Sequence, residues 1–95
     1  MTVSSDGVDL GAGERAGEPI VVDARGLACP LPVIRAAQAA RDLPGGAIVT
    51  ILATDPAARY DVPAWTRLRG HEVLEIATLP DDATVLVITV RTGRR

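Results

Sequence analysis

A cysteine followed by two closely spaced prolines, Cys29, Pro30 and Pro32, constrains this chain more than any other feature. These residues separate the apolar run 20–22 from an alanine-rich segment with helical spacing, so we predict a strand before them and a helix after them. Prolines fit the first turn of a helix, where the backbone N–H that proline lacks has no partner within the helix. The sequence therefore predicts that Cys29 lies at or just before a helix N-terminus.

This placement has a chemical consequence for the thiol. Unpaired N–H groups and the helix dipole favour an anion at a helix N-terminus, so we predict a lowered pKa for Cys29, with Arg25 adding to the effect. Gly26 allows the connecting turn to take backbone angles that a side chain would forbid. A free cysteine that merely fills space in the core is the alternative, and placement alone leaves both interpretations open.

The composition limits the class of protein. The 95 residues are 47% hydrophobic but only 2% aromatic, with no phenylalanine. One small domain is expected, with a core of valine, isoleucine, leucine and alanine, which suits a sheet covered by helices. The net charge is −2 and all ten cationic residues are arginine, a balance that argues against direct contact with nucleic acid through its phosphates.

The single cysteine excludes an internal disulfide, so nothing requires an oxidising compartment. The first eighteen residues lack the basic start and apolar stretch of a signal peptide, and no segment has the ~20 apolar residues of a membrane span. One cysteine and one histidine do not make a metal site. We expect a cytoplasmic protein without a metal, a cofactor or a membrane contact.

The first half of the chain reads as a tail followed by a strand, a helix and a strand. Residues 1–18 are rich in glycine and acidic residues, and we predict a disordered tail. The first strand is predicted over Ile20–Ala24 and the first helix from Pro30 to about Asp42. A second strand over Ile48–Ala53 would lie parallel to the first, through a right-handed crossover. The apolar face of the helix is predicted at Val33, Ala36, Ala37, Ala40 and Leu43.

The second half predicts a short helix and a hairpin. Asp55 opens a turn or a short helical start, and Asp61 is a second cap candidate for the helix that follows. Two strands, 72–78 and 84–91, would form a hairpin. In the first of them Leu74 and Ile76 are expected to face the same way. The helix is predicted to have Pro63 in its first turn, an apolar stripe of Val62, Trp65 and Leu68, and an end at Gly70.

The resulting order is βαβαββ. It predicts an α/β two-layer sandwich in which a mixed four-stranded sheet carries two helices packed on one face. The domain is assigned to residues 19–92, between the tail of residues 1–18 and a polar C-terminal end at residues 93–95.

The segment Gly26-Leu27-Ala28-Cys29-Pro30-Leu31-Pro32 resembles the signature of the TusA/SirA-type sulfur-carrier family. Residues 55–57, 61–65 and 70–72 are similar to the later blocks of that family, in the same order, and the resemblance covers residues 20–91. It implies the βαβαββ fold, which is also similar to the C-terminal domain of translation initiation factor 3.

The resemblance also implies a function for Cys29, which would accept sulfane sulfur as a persulfide and pass it to another protein as a carrier rather than as a stand-alone catalyst. Gly26, Leu27, Pro30 and Pro32 would support the loop. Arg25 and Arg35 would contact a partner or an anion, although Arg35 is equally well explained as a solvated side chain.

The implied partners are a sulfur donor and a sulfur acceptor. The donor would be a cysteine desulfurase or a rhodanese-type sulfurtransferase, and the acceptor would serve tRNA thiolation, molybdenum cofactor assembly or sulfur oxidation. The chain departs from the family pattern at Ala37 and Gln38, where members often carry a basic run, and this weakens the case for contact with tRNA. It departs again at Thr66, where some members carry a second cysteine.

The sequence also allows three alternatives to a sulfur carrier to be considered. A cysteine–histidine hydrolase lacks an oxyanion-hole glycine cluster and an orienting third residue, so His71 is assigned a structural or surface role and Trp65 is assigned to the core. An RNA- or protein-binding regulatory module of the same fold, without sulfur chemistry, is the main rival, because fold does not determine function. A redox-sensing cysteine is the third.

Overall fold

A computed structural model describes residues 19–93, which form four strands and two helices in the predicted order. The predicted tail and residues 94 and 95 lie outside the described residues. The elements are β1 (Ile20–Ala24), α1 (Leu31–Arg41), β2 (Ile48–Ala53), α2 (Ala58–Arg69), β3 (Glu72–Leu79) and β4 (Asp82–Arg91).

The four strands form one mixed sheet in the order β1-β2-β4-β3. β1 is parallel to β2, as the crossover through α1 predicts, and β4 lies antiparallel between β2 and β3. In this register Val22, Ile51 and Ile88 are neighbours across three strands and share one face. The predicted α/β sandwich is confirmed.

Both helices pack on that same face of the sheet. Ala36 and Ala40 are buried where α1 lies against the strands, and their small side chains allow a close approach. Trp65 of α2 is only 8% exposed, which confirms its assignment to the core. The sheet and the two helices contribute the cluster Val22, Val49, Ile51, Ile88, Val90, Ala36, Ala40, Ala58, Val62 and Trp65.

The second helix is longer than the sequence predicted. It begins at Ala58 rather than after Asp61, because the carboxylate of Asp55 accepts the backbone N–H of Ala57 at 2.9 Å and so nucleates the helix earlier. Pro63 consequently lies inside the helix and not in its first turn. The prediction of a short helix capped by Asp61 is wrong.

The predicted apolar stripe of α2 is only partly right. Val62 and Trp65 are buried, but Leu68 is 77% exposed. Each residue turns the helix by about 100°, so a stripe spaced by three residues drifts away from the core. Thr66 occupies the buried position instead. Gly70 ends the helix in the left-handed conformation, with φ of 79°, as predicted.

The hairpin is confirmed, with one error in the facing of its residues. The register between β3 and β4 shifts between Val73 and Glu75, which leaves Leu74 as an extra residue in a β-bulge. Val73 and Ile76 therefore pack against the core, whereas Leu74 is exposed. The expectation that Leu74 and Ile76 face the same way is wrong, because the bulge interrupts the alternation.

The parallel pairing of β1 and β2 places their carboxyl ends side by side, with Ala24 opposite Ala53. The loops that follow these strands therefore lie next to each other at one end of the sheet. Each loop leads into a helix, and each helix runs back over the sheet to the opposite end. Between residues 19 and 93, no helix has the length and hydropathy needed to cross a membrane.

Ile51 is completely buried at the centre of the sheet, so its replacement by alanine leaves a cavity. We expect Ile51→Ala to lower the free energy of unfolding by about 2–5 kcal/mol, measured by chemical denaturation. The matched control is Val21→Ala in the neighbouring strand, where the side chain is exposed and the expected change is about 0.5 kcal/mol or less. Equal losses for the two variants would contradict the assigned faces of the sheet.

Candidate functional site

Cys29 lies in the loop between β1 and α1 and is half-buried. The loop begins with a tight turn, in which the N–H of Leu27 donates to the carbonyl of Ala24 at 3.2 Å. Gly26 has φ of 80°, a left-handed conformation that confirms why glycine is suited to this position. Its N–H donates to Oγ1 of Thr54 at 2.8 Å, which ties the turn to the end of β2.

The two prolines flank the start of α1 on different sides. Pro30 is exposed and occupies the cap position, one residue earlier than predicted, and its peptide bond with Cys29 is cis. Pro32 is fully buried in the first turn of the helix. Leu27 is half-buried. The sulfur-bearing residue is therefore held between a rigid helix start and a turn anchored to the sheet.

The carboxylate of Asp55 joins the two loops at this end of the sheet. One oxygen, Oδ2, accepts the backbone N–H of Cys29 at 2.9 Å, and the other, Oδ1, accepts the N–H of Ala57 at 2.9 Å. The hydrogen bond from Cys29, followed by that from Ala57, holds the pKa of Asp55 below its usual range. An ionised carboxylate therefore fixes the backbone of Cys29 to the start of α2.

The thiol of Cys29 lies in an acidic environment. Burial, a hydrogen bond to the Asp61 carboxylate and the negative charges of Asp55 and Asp61 raise its pKa to about 11. The prediction of a lowered pKa is wrong. The physical reason is burial first and then negative charge, because Asp55 already accepts the N–H groups of Cys29 and Ala57 and a thiolate would lie next to Asp55 and Asp61.

Arg25 does not offset this charge, because it is already paired. Its Nε and Nη2 atoms donate to the carboxylate of Asp23 at 2.8 and 2.7 Å. This hydrogen-bonded pair lowers the pKa of Asp23 to about 2. Arg35 is exposed on α1, and neither arginine is among the groups that shift the pKa of the thiol. The predicted contribution of Arg25 to a reactive thiolate is therefore wrong.

His71 lies at the far end of the fold, beyond the end of α2. Its Nδ1 accepts the backbone N–H of Gly93 at 2.9 Å, and its ring lies 4.8 Å from that of Trp65. This is the structural role predicted for it, and it forms no catalytic pair with Cys29. Within residues 19–93, no three potential metal ligands cluster.

Sequence reasoning missed the roles of Asp55 and Asp61. The local pattern predicts only a turn or helix start at Asp55 and a cap at Asp61, although one further signal is available for Asp55. Two parallel strands bring the loops at their carboxyl ends together, so an acidic residue just after β2 is expected to reach the loop after β1. The contact of Asp61 with the thiol had no such signal, because it depends on the early start of α2.

The acidic environment predicts a slowly reacting thiol. Only the thiolate attacks an alkylating agent, so we expect the alkylation rate of Cys29 to be low at neutral pH and to rise until the pH reaches about 11. Asp61→Asn removes one negative charge beside the sulfur, and should lower the thiol pKa and accelerate alkylation at neutral pH. The measurement is the pH dependence of iodoacetamide labelling by intact mass.

Asp42→Asn is the matched control, because Asp42 is exposed at the opposite end of α1 and its loss should leave the labelling profile unchanged. An Asp61→Asn profile that coincides with that of the unaltered protein would contradict the assigned contact between this carboxylate and the thiol.

The sequence and fold of this chain are similar to those of known proteins. The family described as "Sulfurtransferase TusA" matches residues 20–90. YrkI of Bacillus subtilis (strain 168) is 38% identical over 73 residues, which cover 77% of this chain and 93% of that protein. The sulfur carrier protein TusA of Pseudomonas savastanoi pv. phaseolicola is 41% identical over 66 residues, which cover 70% of this chain and 76% of that protein.

A solved structure agrees with these sequence matches. The crystal structure of a SirA-like protein from Desulfitobacterium hafniense superposes with a TM-score of 0.66 at 33% sequence identity, over 79% of this chain and 99% of that one. The matches extend across the sheet, both helices and the loop that contains Cys29. The chain belongs to the TusA family of sulfur carriers.

Proposed function

We propose that Cys29 accepts sulfane sulfur from a donor persulfide and relays it to an acceptor protein. In the loading step the Cys29 sulfur attacks the terminal sulfur of the donor persulfide. A sulfur–sulfur bond forms on Cys29 while that of the donor breaks, and the proton of Cys29 passes to the departing donor thiolate. The exchange consumes no oxidant or reductant, and the same step in the reverse sense unloads the carrier.

The observation that supports this proposal best is the position of the cysteine. Cys29 is the only cysteine in the sequence, and it lies half-exposed in a loop braced from both sides in a member of the TusA family. A sulfur atom at the start of a helix can be reached by a second protein. The chain has threonine at position 66, where some family members carry a second cysteine. With no second thiol in the chain to attack the persulfide, the terminal sulfur is transferred to another molecule.

The surface around Cys29 suits a transient protein contact. Leu31 and Ile34 in the first turns of α1 are 43% and 44% exposed, and Tyr60 beside Asp61 in α2 is 73% exposed. Apolar side chains that remain exposed near a reactive group are typical of protein–protein contacts, and tyrosine is enriched at them. This apolar rim around an acidic centre fits a partner that brings both apolar and cationic side chains to Cys29.

The carboxylates of Asp55 and Asp61 keep the thiol of the proposed carrier weakly reactive when no partner is bound. With its proton held near Asp61, the thiol is mostly un-ionised at neutral pH and reacts slowly with small electrophiles. A cationic group on a bound donor would offset the charges of Asp55 and Asp61 and lower the thiol pKa. Reactivity would then appear mainly inside the complex with the correct partner.

The partners are proposed by analogy with the family. The donor is a cysteine desulfurase or a rhodanese-type sulfurtransferase in the reducing cytoplasm. The acceptor serves tRNA thiolation, molybdenum cofactor assembly or sulfur oxidation, and the tRNA itself is not proposed as a direct contact. Arg25, engaged with Asp23, is proposed to shape the loop, and Arg35 remains a proposed partner contact.

The test is an intact-mass spectrum recorded without reductant, after the protein has been incubated with a cysteine desulfurase and cysteine. We expect a gain of one sulfur atom that a thiol reverses. Cys29→Ser, checked for an unchanged circular dichroism spectrum, should show no gain.

A protein that gains no sulfur from either a desulfurase or a persulfidated rhodanese, while its thiol still reacts with an alkylating agent, would contradict the carrier proposal. That result would favour the binding module without sulfur chemistry. Binding by such a module would survive in Cys29→Ser, whereas sulfur transfer would not.

A further inference from the structure

A cleft lies between the carboxyl ends of the two helices, far from Cys29. Its volume is about 220 Å³, and the small side chains of Ala37 and Ala40 leave the space open on the α1 side. Trp65 and His71 form the wall on the other side, with their rings tilted by 49°. Both helices start beside the Cys29 loop and end at this cleft, so the two sites are separated by a helix length of on the order of 15 Å.

Two arginines from different helices line the cleft. Arg41 is in the last turn of α1 and Arg69 is in the last turn of α2. Among residues 19–93 the arginines with a carboxylate partner are Arg25 and Arg91, so Arg41 and Arg69 face the cleft as unneutralised charges. A favourable interaction with the helix dipole accounts for an arginine at each helix end, but it does not require both to line one cavity.

We propose that this cleft binds a compact, doubly negative oxyanion, the chemistry shared by a phosphate group and a short dicarboxylate. A guanidinium group is a planar fork of donors that matches two oxygens of such an anion. The guanidinium groups of Arg41 and Arg69 provide two positive charges for the two negative charges of the anion. A bound anion also reduces the repulsion between the two arginines.

The size and walls of the cleft limit what the ligand can be. The volume is below the roughly 300 Å³ at which pockets for drug-sized ligands begin, so a dinucleotide or similar cofactor does not fit. The aromatic rings of Trp65 and His71 provide an apolar wall for a short carbon skeleton next to the charged group. The partial negative charge of the helix ends opposes any anion in the cleft, so binding has to rest on the two guanidinium groups.

The chain provides its own probe, because Trp65 is the only tryptophan and lines the cleft. The full chain is titrated with inorganic phosphate and, separately, with malonate, while chloride keeps the ionic strength constant. Tryptophan fluorescence is recorded together with the chemical shifts of the Trp65 indole N–H and the arginine Nε–H groups. The stronger of the two ligands distinguishes a phosphate site from a dicarboxylate site.

We expect saturable binding of at least one anion. Arg69→Gln and Arg41→Gln should each weaken it by about tenfold or more, because each removes a charge-assisted pair. The matched control is Arg59→Gln, an exposed arginine at the opposite end of α2, which should leave binding unchanged. Thermal unfolding shows that each variant is folded.

Two outcomes would overturn the proposal. One is the absence of saturation with both anions by fluorescence and by chemical shift. The other is an equal loss of binding in Arg59→Gln and Arg69→Gln, which would show attraction to the overall charge and not to the cleft. Neither outcome bears on sulfur loading at Cys29, which lies at the other end of the helices.

Discussion

The carboxylate of Asp55 is the contact on which the arrangement of the site depends. It accepts the backbone N–H of Cys29 with one oxygen and that of Ala57 with the other, so one side chain fixes the cysteine loop and starts α2. This is possible because β1 and β2 are parallel neighbours and their following loops meet at one end of the sheet. The sheet topology thus determines which side chain can hold the cysteine.

The same arrangement sets the chemistry of the sulfur. A cysteine near a helix N-terminus is ordinarily expected to ionise easily, yet here burial and the nearby carboxylates of Asp61 and Asp55 raise the thiol pKa, and Asp55 already bonds the N–H of Cys29. Local helix position therefore acts against burial and tertiary charge, and burial and tertiary charge together prevail. The groups that hold the cysteine in place also keep its thiol protonated. The sulfur is therefore correctly positioned without being constantly reactive.

Much of the fold followed from local sequence. The bounds of β1 and β2 were predicted because continuous β-branched runs end at turn residues, and α1 because its alanines recur at helical spacing. The errors fall where a distant contact decides. Asp55 and Asp61 are both competent caps, and the position of Asp55 opposite the Cys29 loop selected the earlier helix start. The bulge at Leu74 depends on the pairing with β4.

The site was predictable in part for the same reason. Cys29 stood out as the only thiol, followed by two prolines, and its loop position followed from the flanking elements. The raised pKa was not predictable, because it depends on how deeply the fold buries the thiol and on Asp55 and Asp61, which lie far along the chain. A local sequence pattern does not show which charges the tertiary fold brings close to a residue.

The most direct test is the rate of sulfur loading onto Cys29 when the two hydrogen bonds of the Asp55 carboxylate are removed. Asp55→Ala also removes one of the smaller contributions to the raised thiol pKa, but it should load at least about tenfold more slowly than the unaltered protein at equal thiol content, because the loss of positioning outweighs the gain in thiolate. Asp61→Asn removes a negative charge near the thiol and leaves the Asp55 hydrogen bonds in place. It should load at least as fast as the unaltered protein. Loading by Asp55→Ala at the unaltered rate would contradict the claim that this carboxylate positions the sulfur carrier's cysteine.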